Sequence, residues 1–181
     1  LMKHYRLQQD KLSELANQLQ EVAHLDPLTH IYNRRYLVEY LNKKMKIESQ
    51  KFAVVLLDID DFKSINDQYG HIYGDQTLQA FSDSMKKNMD NKGIVTRFGG
   101  EEFMLVFDDI NHEVIEDTLN KVAEEFALYG KQSKGIELSF SGGVEVFYQE
   151  DEIVKLFNRA DHKLYYAKHT GKKKIVFDID V

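Results

Sequence analysis

The chain has 181 residues, a formal charge of −6 and no cysteine. Length allows one sizeable domain plus an appendage. The negative charge argues against general nucleic-acid binding through phosphate neutralisation, and the lack of cysteine excludes disulfides and thiolate metal sites. No apolar run reaches membrane-spanning length and no signal peptide is visible. With a start at Leu1 rather than Met, the chain is expected to be a piece of a longer protein. That parent is expected to act on the cytoplasmic side, with membrane anchoring an open alternative.

Residues 1–25 read as one polar helical stalk. Tyr5, Leu12 and Leu19 stand seven apart, with Leu15 and Val22 on the neighbouring seam position and Gln8 breaking the pattern. An a/d seam this narrow suits a partner helix, so a short dimeric coiled coil is expected; a helix packed on its own domain is the alternative. Asp26-Pro27 stops the helix, because proline disfavours α geometry in the residue before it. Residues 26–181 are then expected to form one compact domain.

A helix is predicted over Asn33–Ile47. Phe52–Leu57 is a continuous apolar run that reads as a central strand, and it ends in Asp58-Ile59-Asp60-Asp61. A short helical turn over Phe62–Asp67, a break at Tyr69-Gly70-His71 and a helix from about Asp75 to Met89 follow. Gly93–Thr96 and Phe103–Phe107 read as strands around Arg97-Phe98-Gly99-Gly100-Glu101-Glu102. Two glycines at this reversal are expected to supply positive φ and to leave room for a ligand. A helix over Val114–Leu128, strand-like residues from Ile136 to Phe147, a helix over Glu152–Lys168 and a closing strand at Lys173–Phe177 complete the chain. This order predicts an α+β fold of the ferredoxin-like split βαβ type, as in nucleotidyl cyclases and polymerase palms, with an antiparallel sheet and helices on one face.

The hairpin alone is also explained by an ordinary Gly-Gly turn with solvated glutamates. A second acidic site changes that balance. Asp58 stands where a buried strand runs out, the place where ligands collect in such sheets, and the split βαβ order would set it beside Glu101. Two carboxylates so close call for a cation. Oxygen ligands without cysteine favour Mg²⁺ or Mn²⁺, and such a site suits phosphoryl or nucleotidyl transfer. Lys63 follows where a cation could meet phosphate. Asn66 and Asp75 can hydrogen-bond a base edge, with a carboxylate suiting the N1–H and N2–H₂ donors of guanine. Phe62 offers a ring for a base or for the core, and His71 is given a supporting role.

Together these residues are recognisable. The chain resembles the GGDEF family of diguanylate cyclases over roughly Asp26–Val176, through Asp26-Pro27-Leu28-Thr29, Asn33-Arg34-Arg35, Asp58–Asp67, Gly70-His71, Gly74-Asp75, Arg97–Phe103, Arg159-Ala160-Asp161, Leu164-Tyr165, Ala167-Lys168 and Gly171-Lys172. The resemblance implies condensation of two GTP into cyclic di-GMP with release of two pyrophosphates, by a homodimer whose facing active sites hold one GTP each. It implies an N-terminal sensory region beyond this chain. By position, Asp58, the Ile59 carbonyl and Glu101 would bind Mg²⁺. Glu101, Lys63 and Glu102 would be the catalytic set: Glu101 would take a proton, Lys63 would stabilise charge, and Glu102 belongs to the signature turn. Phe62, Asn66, His71, Asp75, Gly99, Gly100, Lys168 and Lys172 would contact the nucleotide, the two lysines at its phosphates.

Three departures from the family pattern stand out. Glu101 replaces the commoner Asp. The register that carries an inhibitory Arg-x-x-Asp in some members reads Asp90-Asn91-Lys92-Gly93, so no such site is expected; Lys87-Asn88-Met89-Asp90 lies three residues away. Gly142 stands where an apolar strand residue is usual and is expected to loosen the strand. A catalytically silent module that signals by binding nucleotide or protein is therefore the alternative function.

Overall fold

A computed structural model describes residues 2–179, with the side chains of Lys3, Glu21 and Val22 outside that description; the Val22 seam position therefore lies outside the described residues. A six-stranded sheet runs in the order β1-β3-β4-β2-β5-β6. The strands are β1 (Tyr32–Asn33), β2 (Ala53–Ile59), β3 (Gly93–Arg97), β4 (Glu102–Phe107), β5 (Phe140–Val146) and β6 (Ile175–Val176). The helices are α1 (Met2–His24), α2 (Arg34–Lys44), α3 (Phe62–Tyr69), α4 (His71–Asn88), α5 (His112–Lys134) and α6 (Ile153–His169). The expected α+β architecture is present, and its central strand β2 pairs antiparallel with both β4 and β5. Both edges are two-residue strands, too short to template further pairing.

Helices cover both faces of the sheet, not one as expected. Ala53, Val55, Leu57 and Ile59 pack with Leu78, Phe81 and Met85 of α4 and Ile115, Leu119, Val122 and Phe126 of α5. Val54 and Leu56 point the other way, onto Leu37 and Leu41 of α2 and Leu156, Ala160 and Leu164 of α6. The reason lies in β2 itself. Successive side chains alternate between faces, so a strand apolar at every position needs cover on both.

Several boundaries differ from the sequence reading. α4 starts at His71, directly after Gly70 at φ 87°, so the break between α3 and α4 is a single residue. Asn33 lies outside α2 and caps it, its side chain accepting from the Tyr36 N–H. α5 runs on to Lys134 and stops at Gly135, which takes the left-handed conformation favoured past a helix end.

Strand β5 is not loosened at Gly142. It pairs with β2 at every residue from Ala53↔Val146 to Ile59↔Phe140. A Cβ on Gly142 would lie 2.5 Å from Leu57 Cδ2 and 2.8 Å from Ile175 Cδ1, so those two side chains fill the space a larger residue would occupy. Gly143 does something else. A Cβ there would lie 2.3 Å from the Ala160 carbonyl oxygen and 2.7 Å from the Leu164 nitrogen, so the backbone of α6 rests directly on β5. That contact carries the C-terminal turn of α6, with Lys168, to the end of β2.

The seam of α1 is open. Tyr5, Leu12, Leu15 and Leu19 are 67, 67, 57 and 64% exposed, so this seam does not pack on its own domain, which the helix meets at its end, through Ala23 and His24. Among the described residues no helix is long and apolar enough to cross a membrane.

Candidate active site

The two acidic segments meet as expected. Asp58 is the cross-strand partner of Glu102, and residues directly opposite share a face of the sheet. One step on, the Ile59 N–H donates to the Glu101 carbonyl at 3.3 Å, so the end of β2 lies against the tip of the β3–β4 hairpin. Burial pushes the Asp58 carboxyl above the ordinary carboxylate range; Lys168 pulls against this, and the charges of Glu101 and Asp60 add to the rise. Burial likewise raises Glu102, reinforced by Asp58, Asp161 and Glu101 and opposed by Arg34. The strand end is therefore crowded with negative charge.

The glycines of the hairpin work through space rather than through φ. Neither Gly99 nor Gly100 has positive φ, which corrects the sequence expectation. The tip is open enough for ordinary backbone angles, with the Phe98 and Gly99 N–H groups both donating to the Glu102 carbonyl. A Cβ on Gly99 would stand 2.8 Å from Glu102 Oε2, whereas Gly100 faces open space.

Arg97 braces this tip. It donates from Nε and Nη2 to the Gly100 carbonyl, at 3.1 and 2.8 Å, and from Nη1 to both Asp26 carboxylate oxygens, at 3.2 and 3.1 Å. Asp26 also accepts from the Thr29 N–H and hydroxyl. The turn that ends α1 is thus tied to the hairpin. Burial works to raise the Asp26 carboxyl, but the Thr29 and Arg97 contacts hold it below the ordinary value. The carboxylate's contribution to stability is therefore present above the unfolded pKa and lost as pH falls through the lower folded one. Asp26→Asn is expected to cost about 1–3 kcal/mol at neutral pH, seen as a lower Tm, with the difference closing as pH falls below the ordinary carboxylate range. A gap of constant size throughout the acid range would refute the assignment.

Lys168 bridges the acidic strand end. Its ammonium donates to the carbonyls of Asp58 and Ile59, both at 3.2 Å, and pairs with Asp58 Oδ1 at 2.5 Å and Asp60 Oδ1 at 2.9 Å. Lys172 pairs with Asp61 Oδ1 at 2.6 Å. Both lysines, expected at phosphates, rest here on carboxylates. Asp60, given no role by sequence reasoning, anchors the arrangement: it is 5% exposed and accepts from the Ser139 and Ser141 hydroxyls and the Lys173 N–H. Its burial raises its carboxyl, yet Lys168 and the two serines hold it below the ordinary value. No spacing signal separates Asp60 from Asp58 or Asp61; only strand register shows which acid turns inward.

The remaining candidates lie on α3 and α4. Phe62 is half-buried against the core. Lys63, His71 and Asp75 are exposed, and Asn66 is half-buried beside Gly74.

Among the described residues no three acidic or histidine side chains form a metal cluster by themselves. The donors nevertheless suit a hard cation. Asp58 Oδ1 and the Ile59 carbonyl already converge on the Lys168 ammonium, which stands in for a positive ion. Mg²⁺ is commonly held by one or two carboxylates plus substrate phosphates, without a full protein cage.

Comparison with known proteins agrees with this geometry. The family model "Diguanylate cyclase, GGDEF domain" matches residues 23–174. A probable diguanylate cyclase, DgcF of Escherichia coli K12, is 34% identical over 171 residues, covering 90% of this chain and 54% of its own length. This chain thus spans about half of that relative, and 28% of another from Bacillus subtilis. The diguanylate cyclase SiaD from Pseudomonas aeruginosa, solved with its activator SiaC, superimposes with TM-score 0.83 at 28% identity, covering 98% of this chain and 70% of that one. The active GGEEF domain of a diguanylate cyclase from Vibrio cholerae superimposes with TM-score 0.73 at 27% identity, covering 82% and 98%. With most of its length matched and its acidic strand end set against the Gly-Gly-Glu-Glu turn, the chain belongs to the GGDEF-domain family of diguanylate cyclases.

Proposed function

We propose that this chain condenses two GTP molecules into cyclic di-GMP, acting as a homodimer with one GTP on each protomer. The observation that carries the reading is the meeting of Asp58 with the Glu101-Glu102 turn, on oxygens already arranged around a cation. The Vibrio cholerae structure is described as an active GGEEF domain, which supports Glu at position 101 as compatible with activity.

Asp58, the Ile59 carbonyl and Glu101 would hold Mg²⁺, or Mn²⁺ in its place. The bound ion would neutralise phosphate charge and polarise the reacting phosphoryl group. Asp75 accepts from the guanine N1–H and N2–H₂ groups, and Asn66 supplies a second polar contact. His71 supports the nucleotide from the start of α4. Gly99 and Gly100 keep the turn free of bulk, so the triphosphate can lie close to it. Lys63, Lys168 and Lys172 are the cations assigned to the phosphates, the last two turning from carboxylate to phosphate. Each 3′-oxygen forms a bond to the α-phosphorus of the opposite GTP, and the bond to pyrophosphate breaks. The hydroxyl proton passes to Glu101, which returns it to water. Glu102 adds to the negative field of the turn.

Neither protomer can complete this exchange alone. The exposed seam of α1 offers the surface that holds two copies together, and burying four large side chains per helix supplies the drive. The purified chain, incubated with GTP and Mg²⁺ over a range of protein concentrations, is expected to form cyclic di-GMP with a rate per molecule that rises with concentration. Absence of product at concentrations that force dimers would refute the proposal. The unbroken pairing of β5 at Gly142 removes one of the two motives for the silent-module alternative, the other being the missing Arg-x-x-Asp register.

A further inference from the structure

Gly74 is the fourth residue of α4, which begins at His71. Its φ is not positive, so backbone conformation does not call for glycine there. A helix-interior glycine is also less stable than alanine. The explanation lies across the α3–α4 corner. A Cβ on Gly74 would stand 1.8 Å from Asn66 Oδ1 and 2.9 Å from Asn66 Cγ. The carboxamide of Asn66 fills the place of the missing side chain. Both atoms belong to the far end of a side chain that can rotate, so alanine at position 74 is compatible with the fold. What alanine removes is the seat of the carboxamide.

Gly74 is adjacent in the chain to Asp75, the exposed carboxylate assigned to the guanine edge above. The residue that receives Asn66 is thus held by one peptide bond to the residue that shares its task. We propose that Gly74 is a positioning residue for base recognition: its empty side-chain space fixes the Asn66 carboxamide in register with Asp75, so the two read a purine edge as a unit. The inference rests on the GTP-binding reading and deepens it.

A double-mutant cycle separates this role from a structural one. Binding of non-reacting GTP and ATP analogues, with a methylene between the α- and β-phosphates, is measured by calorimetry with Mg²⁺ for wild type, Gly74→Ala, Asn66→Ala and the double variant. Gly74→Ala is expected to weaken the guanine analogue about tenfold, the value of one hydrogen bond to a well-placed partner, and to narrow the guanine-over-adenine ratio. The double variant is expected to match Asn66→Ala, because without the carboxamide there is nothing left to displace. Its Tm should equal or exceed that of Asn66→Ala, since alanine suits a helix better than glycine.

Equal losses from Gly74→Ala in both backgrounds would show a general packing effect and overturn the inference. So would unchanged guanine affinity in Gly74→Ala when Asn66→Ala is weakened. Unchanged affinity in Asn66→Ala would overturn the role of Asn66 in base recognition, and this inference with it.

Discussion

Asp58→Asn is expected to lower cyclic di-GMP formation by about 10³-fold, the effect of losing several kcal/mol of metal-borne charge stabilisation, while the protein stays folded. The same change should not reduce the Tm of the metal-free protein at neutral pH. Burial and the neighbouring acids raise the folded pKa of Asp58. A raised folded pKa means that ionisation costs stability as pH climbs through it. An amide escapes that cost, although it weakens the contact with Lys168. The Tm of the variant should therefore match or exceed wild type at pH 7 and converge with it in acid. Mg²⁺ with a GTP analogue should raise the Tm of wild type by mass action and raise that of the variant less. Activity above a tenth of wild type, with the fold intact, would sink the assignment of Asp58 as a metal ligand. Glu101→Gln provides the companion test, because it removes both a ligand and the proposed proton acceptor.

Gly143→Ala should be among the more damaging single-methyl changes in the chain. The added Cβ would meet the Ala160 carbonyl oxygen at 2.3 Å and the Leu164 nitrogen at 2.7 Å. These are backbone atoms of α6, and they move only if the whole helix lifts from β5. Overpacking of this kind costs about 2–3 kcal/mol, or a Tm fall of about 4–12 °C for a domain of this size. The displaced helix would also carry Lys168 away from Asp58 and Asp60, so activity should fall further than stability alone accounts for. Gly142→Ala makes the contrast. Its nearest neighbours are the ends of the Leu57 and Ile175 side chains, which can turn aside, and the expected loss is less than half as large. Thermal unfolding of both variants checks the pair; equal losses would show that α6 does not rest on Gly143.

The misreadings of the sequence have a common origin. The continuous apolar run of β2 was legible as a central strand, but its demand for cover on both faces follows only once it has neighbours on each side. The glycines at 99 and 100 were legible as a place without bulk. That their φ values are ordinary depends on how wide the turn is, which the bracing by Arg97 and Glu102 decides. Gly142 looked like a defect, and Gly143 carried no warning. Yet Gly142 is filled by distant side chains, and Gly143 admits a helix that arrives later in the chain.

Local chemistry and spacing carried the resemblance to the family, the order of the elements apart from the two-residue β1, the helical character of Met2–His24 and the convergence of Asp58 with the Gly-Gly-Glu-Glu turn. Each rests on short-range patterns or on a topology with few alternatives. Only the tertiary structure decided that Asp60 is the buried anchor, that Lys168 lies on the acidic strand end, and that Asn66 occupies the space of Gly74. Those contacts join residues up to 113 positions apart. Strand register and the approach of one backbone to another set them, and neither is written in the residues on one side of the contact alone.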